Sequence, residues 1–373
     1  MTEITGIARK NLLHEKTRLL IGVSGIAAAI ILILILEGFA GGMFRQLTAF
    51  ARNSRADIFV LQNGVDNSQF GSSHLPKIAE QKIGRIKNVK KASGIFLVSA
   101  MMIKNSKKTP IKIVGYRPRD KFGQPWLLDR GRRPKAGKAE IVMDLALARR
   151  NNVDINDRVE LLGRRFRVVG LSRETSSWMN PYIFMSRDSA AKLLAAPDTV
   201  SLVLVRAGNN ADLSKLEKRI EQTFPDANAV STATLMSKET NLLRELMSSP
   251  LNLLVGIAYV IGTLVVGLTT YTAVIEKLPE FGILKAIGAD RSRLYSIVIS
   301  QSLANVILGF VAASLLANLV FWLIETLFPQ FLLVIDARTL LRTLVLAVAM
   351  ALAASFIPIR RVAKVDALEV FSR

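Results

Sequence analysis

The chain has no cysteine, only two histidines, and 29 acidic side chains against 50 Lys and Arg in 373 residues. Without cysteine neither a disulfide framework nor a thiolate metal site is available, although this says nothing about compartment. His14 and His74 have no second histidine or carboxylate at metal-ligand spacing, so they read as scattered solvated side chains. No G-x-x-x-x-G-K-[ST] occurs, which excludes cradling of nucleotide phosphates by that route. Any ATP-driven work must come from a separate subunit. The chain therefore reads as neither a metalloenzyme nor an ATPase, and it needs no cofactor of its own.

What the chain does have is apolar residues, half of the total, gathered into four blocks. Residues 19–36, 251–275, 294–324 and 343–359 carry no charge. A helix of about 20 residues crosses about 30 Å of hydrocarbon. The first three runs reach that length with their flanks, and the fourth reaches it by extending back to Thr339, with Arg342 snorkelling to the interface. A cleaved signal peptide fits the first run less well, because the apolar stretch is long and no small-x-small site follows. The expected order is a cytoplasmic N-terminal segment at 1–18, spans at 19–41, 251–275, 294–324 and 339–359, and a tail at 360–373. Between the spans lie an extracytoplasmic region at 42–250, a cytoplasmic loop at 276–293 and a short outer loop at 325–338. Residues 1–18 read either as an amphipathic surface helix or as a flexible tail. Four Lys and Arg fall in each of 1–18, 276–293 and 360–373, against one in 325–338, which places both termini and the 276–293 loop in the cytoplasm.

The 42–250 region has no membrane-length run and alternates short β-rich segments with helical ones, so it reads as an α/β domain inserted between the first two spans, built as one or two lobes. Strands are expected at 57–61, 94–103, 110–116, 140–143, 158–162, 166–171, 182–185 and 200–205, with a hairpin turning at Gly163 and Arg164. Helices are expected at 144–151 and 188–195, each opening on an Asp cap, and at 212–224 with Leu213, Leu216 and Ile220 on one face. This region holds 36 of the Lys and Arg but also 19 acidic residues. Its excess suits anionic lipid surfaces at least as well as nucleic acid, and steeply salt-dependent DNA binding is the mark that would separate the two. The cluster Arg130, Arg132, Arg133, Lys135 and Lys138 lacks interleaved aromatics, leaving a solvated loop or a lipid or partner contact. Nucleic acid is not an expected partner.

Three features of the membrane part stand out. Gly38 and Gly42 form a G-x-x-x-G, a pattern that lets helices pack closely and fits oligomerisation. Glu37 falls near the outer end of the first span, where an interfacial position or a part in gating would each account for it. Between the second and third spans, Pro279 suits the first helical turn and Glu280 complements its N-terminus. Phe281, Ile283, Leu284 and Ile287 follow before Gly288 ends the helix. This stretch is either a loop resting on lipid or a handle for another protein.

The segment IEKLPEFGILKAIGADRSRLYSIVISQSL resembles the signature of the FtsX/MacB-like ABC transporter permeases. Two further stretches are similar to the same family: AEIVMDLALARRNNVDINDRVELLGRRFRVVGL to the core of its extracytoplasmic domain, and IRRVAKVDALEVFSR to its tail. Asn156 stands where the family has Gly, and Ala367 where it has Pro. With no nucleotide-binding domain before the first span, the layout looks like the stand-alone permeases of the DevC or LolC/LolE kind. The resemblance implies a four-helix membrane protein of the bacterial inner membrane with a MacB-like periplasmic core. It implies a permease dimer working with an ABC ATPase subunit that binds the ATP. A coupling helix would dock on that ATPase through Glu276, Lys277, Glu280, Phe281, Ile283, Leu284, Lys285 and Gly288, and a stalk would run from about 235 to 246. The system would export a lipid, peptide or drug-like molecule, with a periplasmic adaptor and outer-membrane channel as further partners. The alternative within the family is a mechanotransducer that moves no substrate and activates a cell-wall enzyme.

Overall fold

The computed structural model describes residues 16–176, 180–328 and 331–363. His14, most of the expected N-terminal segment and most of the expected tail lie outside them. The chain divides into two compact units: a membrane unit, made of residues up to Gly41, Ser248–Phe328 and those from Leu333 onward, and a sheet unit, made of Gly42–Met247 with a short segment ending at Leu332.

In the membrane unit, α1 (Lys16–Leu47), α7 (Thr232–Glu276), α9 (Arg291–Leu327) and α10 (Ala337–Ala363) are long and apolar enough to cross a bilayer. Their mutual contacts use small side chains: Ala27, Ala313, Ala317, Ala347, Ala351 and Ala354 are buried together with Ile26, Ile30, Leu34, Val266 and Val306. In hydrocarbon, where apolar burial gives no driving force between helices, close backbone approach and packing have to hold the bundle. One buried hydroxyl pair, Thr270 with Ser302 at 3.1 Å, adds a polar contact between α7 and α9. Leu253, Leu264, Leu268, Leu315, Leu319 and Trp322 stay exposed, as lipid-facing positions would.

The sheet unit is built on strands β1 (Ile58–Gln62), β3 (Val89–Lys104), β4 (Lys107–Tyr116), β5 (Leu128–Gly131), β6 (Glu140–Asp144), β7 (Arg158–Leu161), β8 (Arg164–Ser172), β9 (Tyr182–Ser186), β11 (Leu202–Ala207) and β12 (Ala227–Ser231), in the order β12-β1-β11-β3-β4-β9-β6-β8-β5 with β7 joining β3 to β8. A separate pair joins β2 (Leu75–Pro76) to β10 (Thr199–Val200). Strand β3 belongs to both halves: Val89 to Ile95 pairs with β11, and Phe96 to Lys104 pairs with β4. The two lobes considered from the sequence are thus joined by one shared strand. Both faces of the sheet are covered, which explains near-continuous apolar strands in place of an alternating pattern. In β1, Phe59 and Leu61 face an aromatic core containing Phe50, Tyr116, Tyr182, Phe184 and Leu235. Ile58 and Val60 face the opposite way, toward Ala79 and Ile83 of α3 (Ile78–Gly84) and Leu216 and Ile220 of α6 (Leu213–Thr223).

Local chemistry explains the helix starts. Asp144, still in extended backbone, accepts from the N–H groups of Ala146 and Leu147 and so opens α4 (Leu145–Arg150), as its sequence suggested. Asp212 likewise accepts from Lys215 N–H at α6. The other expected cap is corrected: α5 (Arg187–Leu193) starts on Ser186, whose hydroxyl accepts from Ser189 N–H, while Asp188 lies inside the first turn. The β7–β8 turn is also one residue earlier than expected, at Leu162 and Gly163, both with positive φ as a type I′ hairpin requires. A short helix, α2 (Ala49–Asn53), packs Phe50 into the aromatic core.

Two buried carboxylates each gather two arginines in the sheet unit. Glu80 accepts from Arg187 at 2.6 Å and from Arg117 at 2.5 Å. Glu140, at the start of β6, accepts a bidentate pair from Arg132 at 2.7 Å and a third bond from Arg167 at 3.1 Å. The Arg132 hydrogen bonds hold the Glu140 carboxyl down at about 2 despite its burial.

Because the folded-state value lies below the unfolded value of about 4.3, Glu140 contributes stability that is fully present above pH ~4.3 and is lost as the pH falls toward 2. Urea unfolding of the detergent-solubilised chain, followed by tryptophan fluorescence, is expected to show this loss, and Arg132→Met to flatten it and lower stability at neutral pH by about 2 kcal/mol. Unchanged acid dependence in the variant would remove Arg132 from this role. A second outcome concerns Gly42, where an added Cβ would overlap the carbonyl oxygen of Leu332. Gly42→Ala is expected to lower stability by about 1–3 kcal/mol, and a neutral thermal scan would show that the Leu332 segment gives way.

Candidate functional site

Helix α8 (Leu278–Ala286) is separated from α7 by the chemistry of one residue. Pro279 has no N–H to donate and its ring would meet the Ile275 carbonyl if α7 continued. The chain therefore breaks at Lys277 and restarts with Pro279 in the first turn and Glu280 near the positive helix end. At the other end Gly288 adopts φ +92°, a conformation closed to most side chains, and its N–H donates to Lys285 O at 3.1 Å while Ala289 N–H donates to Leu284 O at 2.9 Å. Asp290 then opens α9 by accepting from Arg291 N–H.

The nine residues of α8 have two faces. Phe281 is 4% exposed and packs with Val274 of α7, Leu294 and Val298 of α9 and Val362 of α10, while Leu284 lines the edge of that cluster half-buried. Ile283 and Ile287 are 49% and 75% exposed, beside exposed Glu276, Pro279 and Glu280, with Lys277 and Lys285 half-buried. The resemblance placed Phe281, Ile283 and Leu284 together among the docking residues. In the structure Phe281 anchors the helix to its own bundle and Ile283 with Ile287 faces outward. Neighbouring exposed isoleucines on a short charged helix form the kind of apolar centre with a polar rim that another protein can cover.

The remaining candidate positions separate. Glu37 on α1 lies 3.5 Å from Arg342 on α10, so the expected lone snorkelling arginine has a carboxylate neighbour. Gly38 faces Phe321, Leu333 and Ile335, and Gly42 faces Leu332, so both glycines admit the chain's own 332–335 segment. Arg132 and the backbone of Lys135 serve Glu140, and Arg130 lies near Asp129 and Asp154. Part of the basic cluster is therefore structural. His74 is exposed. Among the described residues no group of three or more His, Asp or Glu side chains is placed to hold a metal.

Sequence reasoning passed over one group entirely. Glu239 on α7 and Lys112 on β4 are both buried, 0% and 3% exposed, and both bind the chain between β1 and β2. A polar residue at a fully enclosed position of a strand or helix leaves no mark in the sequence beyond its interruption of the apolar pattern.

Residues 19–223 match the family model of the MacB-like periplasmic core domain, and residues 252–367 match that of the FtsX-like permease C-terminal region. An ABC transporter permease of Mycobacterium tuberculosis (strain CDC 1551 / Oshkosh), named as uncharacterized, is 23% identical over 98% of each chain. A permease of Staphylococcus epidermidis (strain ATCC 35984), HrtB, named for a hemin transport system, is 22% identical over 97% of this chain and 98% of its own. Among solved structures, the periplasmic region of MacB from Actinobacillus actinomycetemcomitans aligns with 50% of this chain and 92% of its own at 11% identity and a TM-score of 0.40. The extracellular domain of YknZ from Gram-positive bacteria aligns with 47% and 98% at 12% identity and a TM-score of 0.37. The chain, with its four apolar helices and an α/β domain between the first and second, belongs to the FtsX/MacB family of ABC transporter permeases.

Proposed function

We propose that this permease is the membrane subunit of a mechanotransmission (type VII) export system, driven by ATP bound and hydrolysed in a separate ATPase subunit. The observation that carries this reading is the outward face of α8: Ile283 and Ile287 stand exposed while Phe281 fixes the helix to α7, α9 and α10. A force applied to that face reaches three membrane helices at once. Helix α7 then continues without interruption from Glu276 back to Thr232, where Leu235 and Leu243 are buried in the sheet unit, so it serves as the stalk.

In this reading α8 and both termini face the cytoplasm of a bacterial inner membrane and the sheet domain lies outside it. Two copies pair through lipid-facing helices, and an adaptor and outer-membrane channel complete the path. The domain limits at 42–250 for the outer part and 276–293 for the coupling loop follow from the same topology. The substrate class is a lipid, peptide or drug-like molecule taken from the outer leaflet or periplasm. The staphylococcal relative's name supports a small amphiphile. Shear between helices transmits the ATPase's closure, and no wide pore is required.

Affinity-tagged permease from native membranes is expected to retain ATPase activity. Ile283→Asp with Ile287→Asp should lower the retained activity at least tenfold without changing the permease's thermal midpoint, because both side chains already face solvent. Phe281→Asp should instead destabilise the bundle by about 4 kcal/mol, since it buries a charge where a ring was packed. Full retention of the ATPase by the double variant would sink the docking role of α8.

A further inference from the structure

The segment 63–74, between β1 and β2, is held by charged side chains of opposite sign from two different elements. Glu239 of α7 accepts at Oε1 from Ser68 N–H at 3.0 Å and from Ser68 Oγ–H at 2.6 Å. Lys112 of β4 donates from Nζ to Ser68 O at 3.3 Å and to Gln69 O at 2.5 Å. The N–H of Ser68 is thus bound to the helix and its carbonyl to the sheet. Next to it, Lys238 of α7 pairs with Asp66 at 2.8 Å, and Gln69 donates from Nε2 to the Tyr182 hydroxyl at 2.9 Å. Tyr182 belongs to the aromatic core, with Phe50 and Trp126 ring centroids each 5.9 Å away.

Burying a carboxylate and an ammonium is a poor way to stabilise a domain, since each ion costs several kcal/mol of lost hydration and apolar residues of similar volume often serve as well. The second oxygen of Glu239 is enclosed with no hydrogen-bond partner. Burial pushes the Glu239 carboxyl up and brings the Lys112 amine down to about 8. What the two charges achieve together is directional: they fasten the Ser68–Gln69 backbone of an irregular segment to α7 on one side and to β4 on the other.

We propose that Ser68, Glu239 and Lys112 form a clasp through which α7 displaces the 63–74 segment relative to the sheet. Glu239 and Lys238 carry the segment with the helix, and Lys112 is the contact that releases it, parting Gln69 from the Tyr182 hydroxyl. The clasp rests on the reading of α7 as the moving stalk. Glu239 and Lys112 are positioning residues, acting through Ser68.

The absence of native cysteine makes introduced cysteines the only labelling sites. In the full chain with its ATPase in lipid nanodiscs, spin-label distances are measured without nucleotide and with ATP and vanadate, for three pairs: Leu246→Cys with Lys108→Cys, Phe70→Cys with Leu246→Cys, and Phe70→Cys with Lys108→Cys. The expected result is a shift in the first and third pairs and none in the second. In Glu239→Met, or in Glu239→Met with Lys112→Met if the single variant does not fold, the third pair should lose its shift and the second should gain it. An unmoved first pair overturns the stalk reading and the clasp with it. A first pair that moves while Phe70 stays with the sheet in the parent chain overturns the clasp alone, as does a Glu239→Met chain that behaves like the parent.

Discussion

The burial of one stripe of α7 in the sheet domain is the constraint on which the rest depends. Leu235, Glu239 and Leu243 recur at four-residue spacing, on one side of a helix, and all three are enclosed. The same helix runs on unbroken to Glu276, so its N-terminal third belongs to a soluble-type core and its remainder to an apolar bundle. Two different solvents therefore act on one element. In the sheet domain apolar area removed from water holds it, whereas in the bundle small residues and close packing must do so. Pro250 lies at this change of environment, and it leaves the Leu246 carbonyl without its helical donor.

The family assignment and the geometry of α8 support each other at different levels. The family models show what kind of protein this is, and they cover both the domain between the spans and the C-terminal helices. The arrangement of α8 adds a local geometry that the family models do not give: Pro279 separates the helix from α7, Gly288 separates it from α9, and Phe281 returns it to the bundle.

Much of the fold was legible because membrane spans and fully covered strands are written in long apolar runs. The Asp144 cap was legible for a similar reason, since an acidic residue just before a helical pattern has one common use. Asp188 misled because Ser186, two residues earlier, was still extended and took the cap. Strand β12 escaped notice: ANAVS has weak strand preference and acquires its conformation by pairing with β1, far away in sequence. The same limit applies at α8. Phe281, Ile283, Leu284 and Ile287 surround a short helix on several sides, so no periodicity states which of them faces inward. That choice is made by Leu294, Val298 and Val362, which belong to other helices. Lys112 and Glu239 were illegible for the complementary reason, because a buried ion is specified by the partners that enclose it.

The division of α8 into an inward Phe281 and an outward Ile283 and Ile287 separates two kinds of inheritance. Change at the inward position must be matched by the helices that enclose it, whereas change at the outward positions is answerable only to whatever covers them. If α8 docks the ATPase as proposed above, a duplicated copy of this gene acquires a different motor through a few surface exchanges while keeping its bundle intact. On that reading, allegiance to a partner and integrity of the fold are stored in alternate residues of the same two turns.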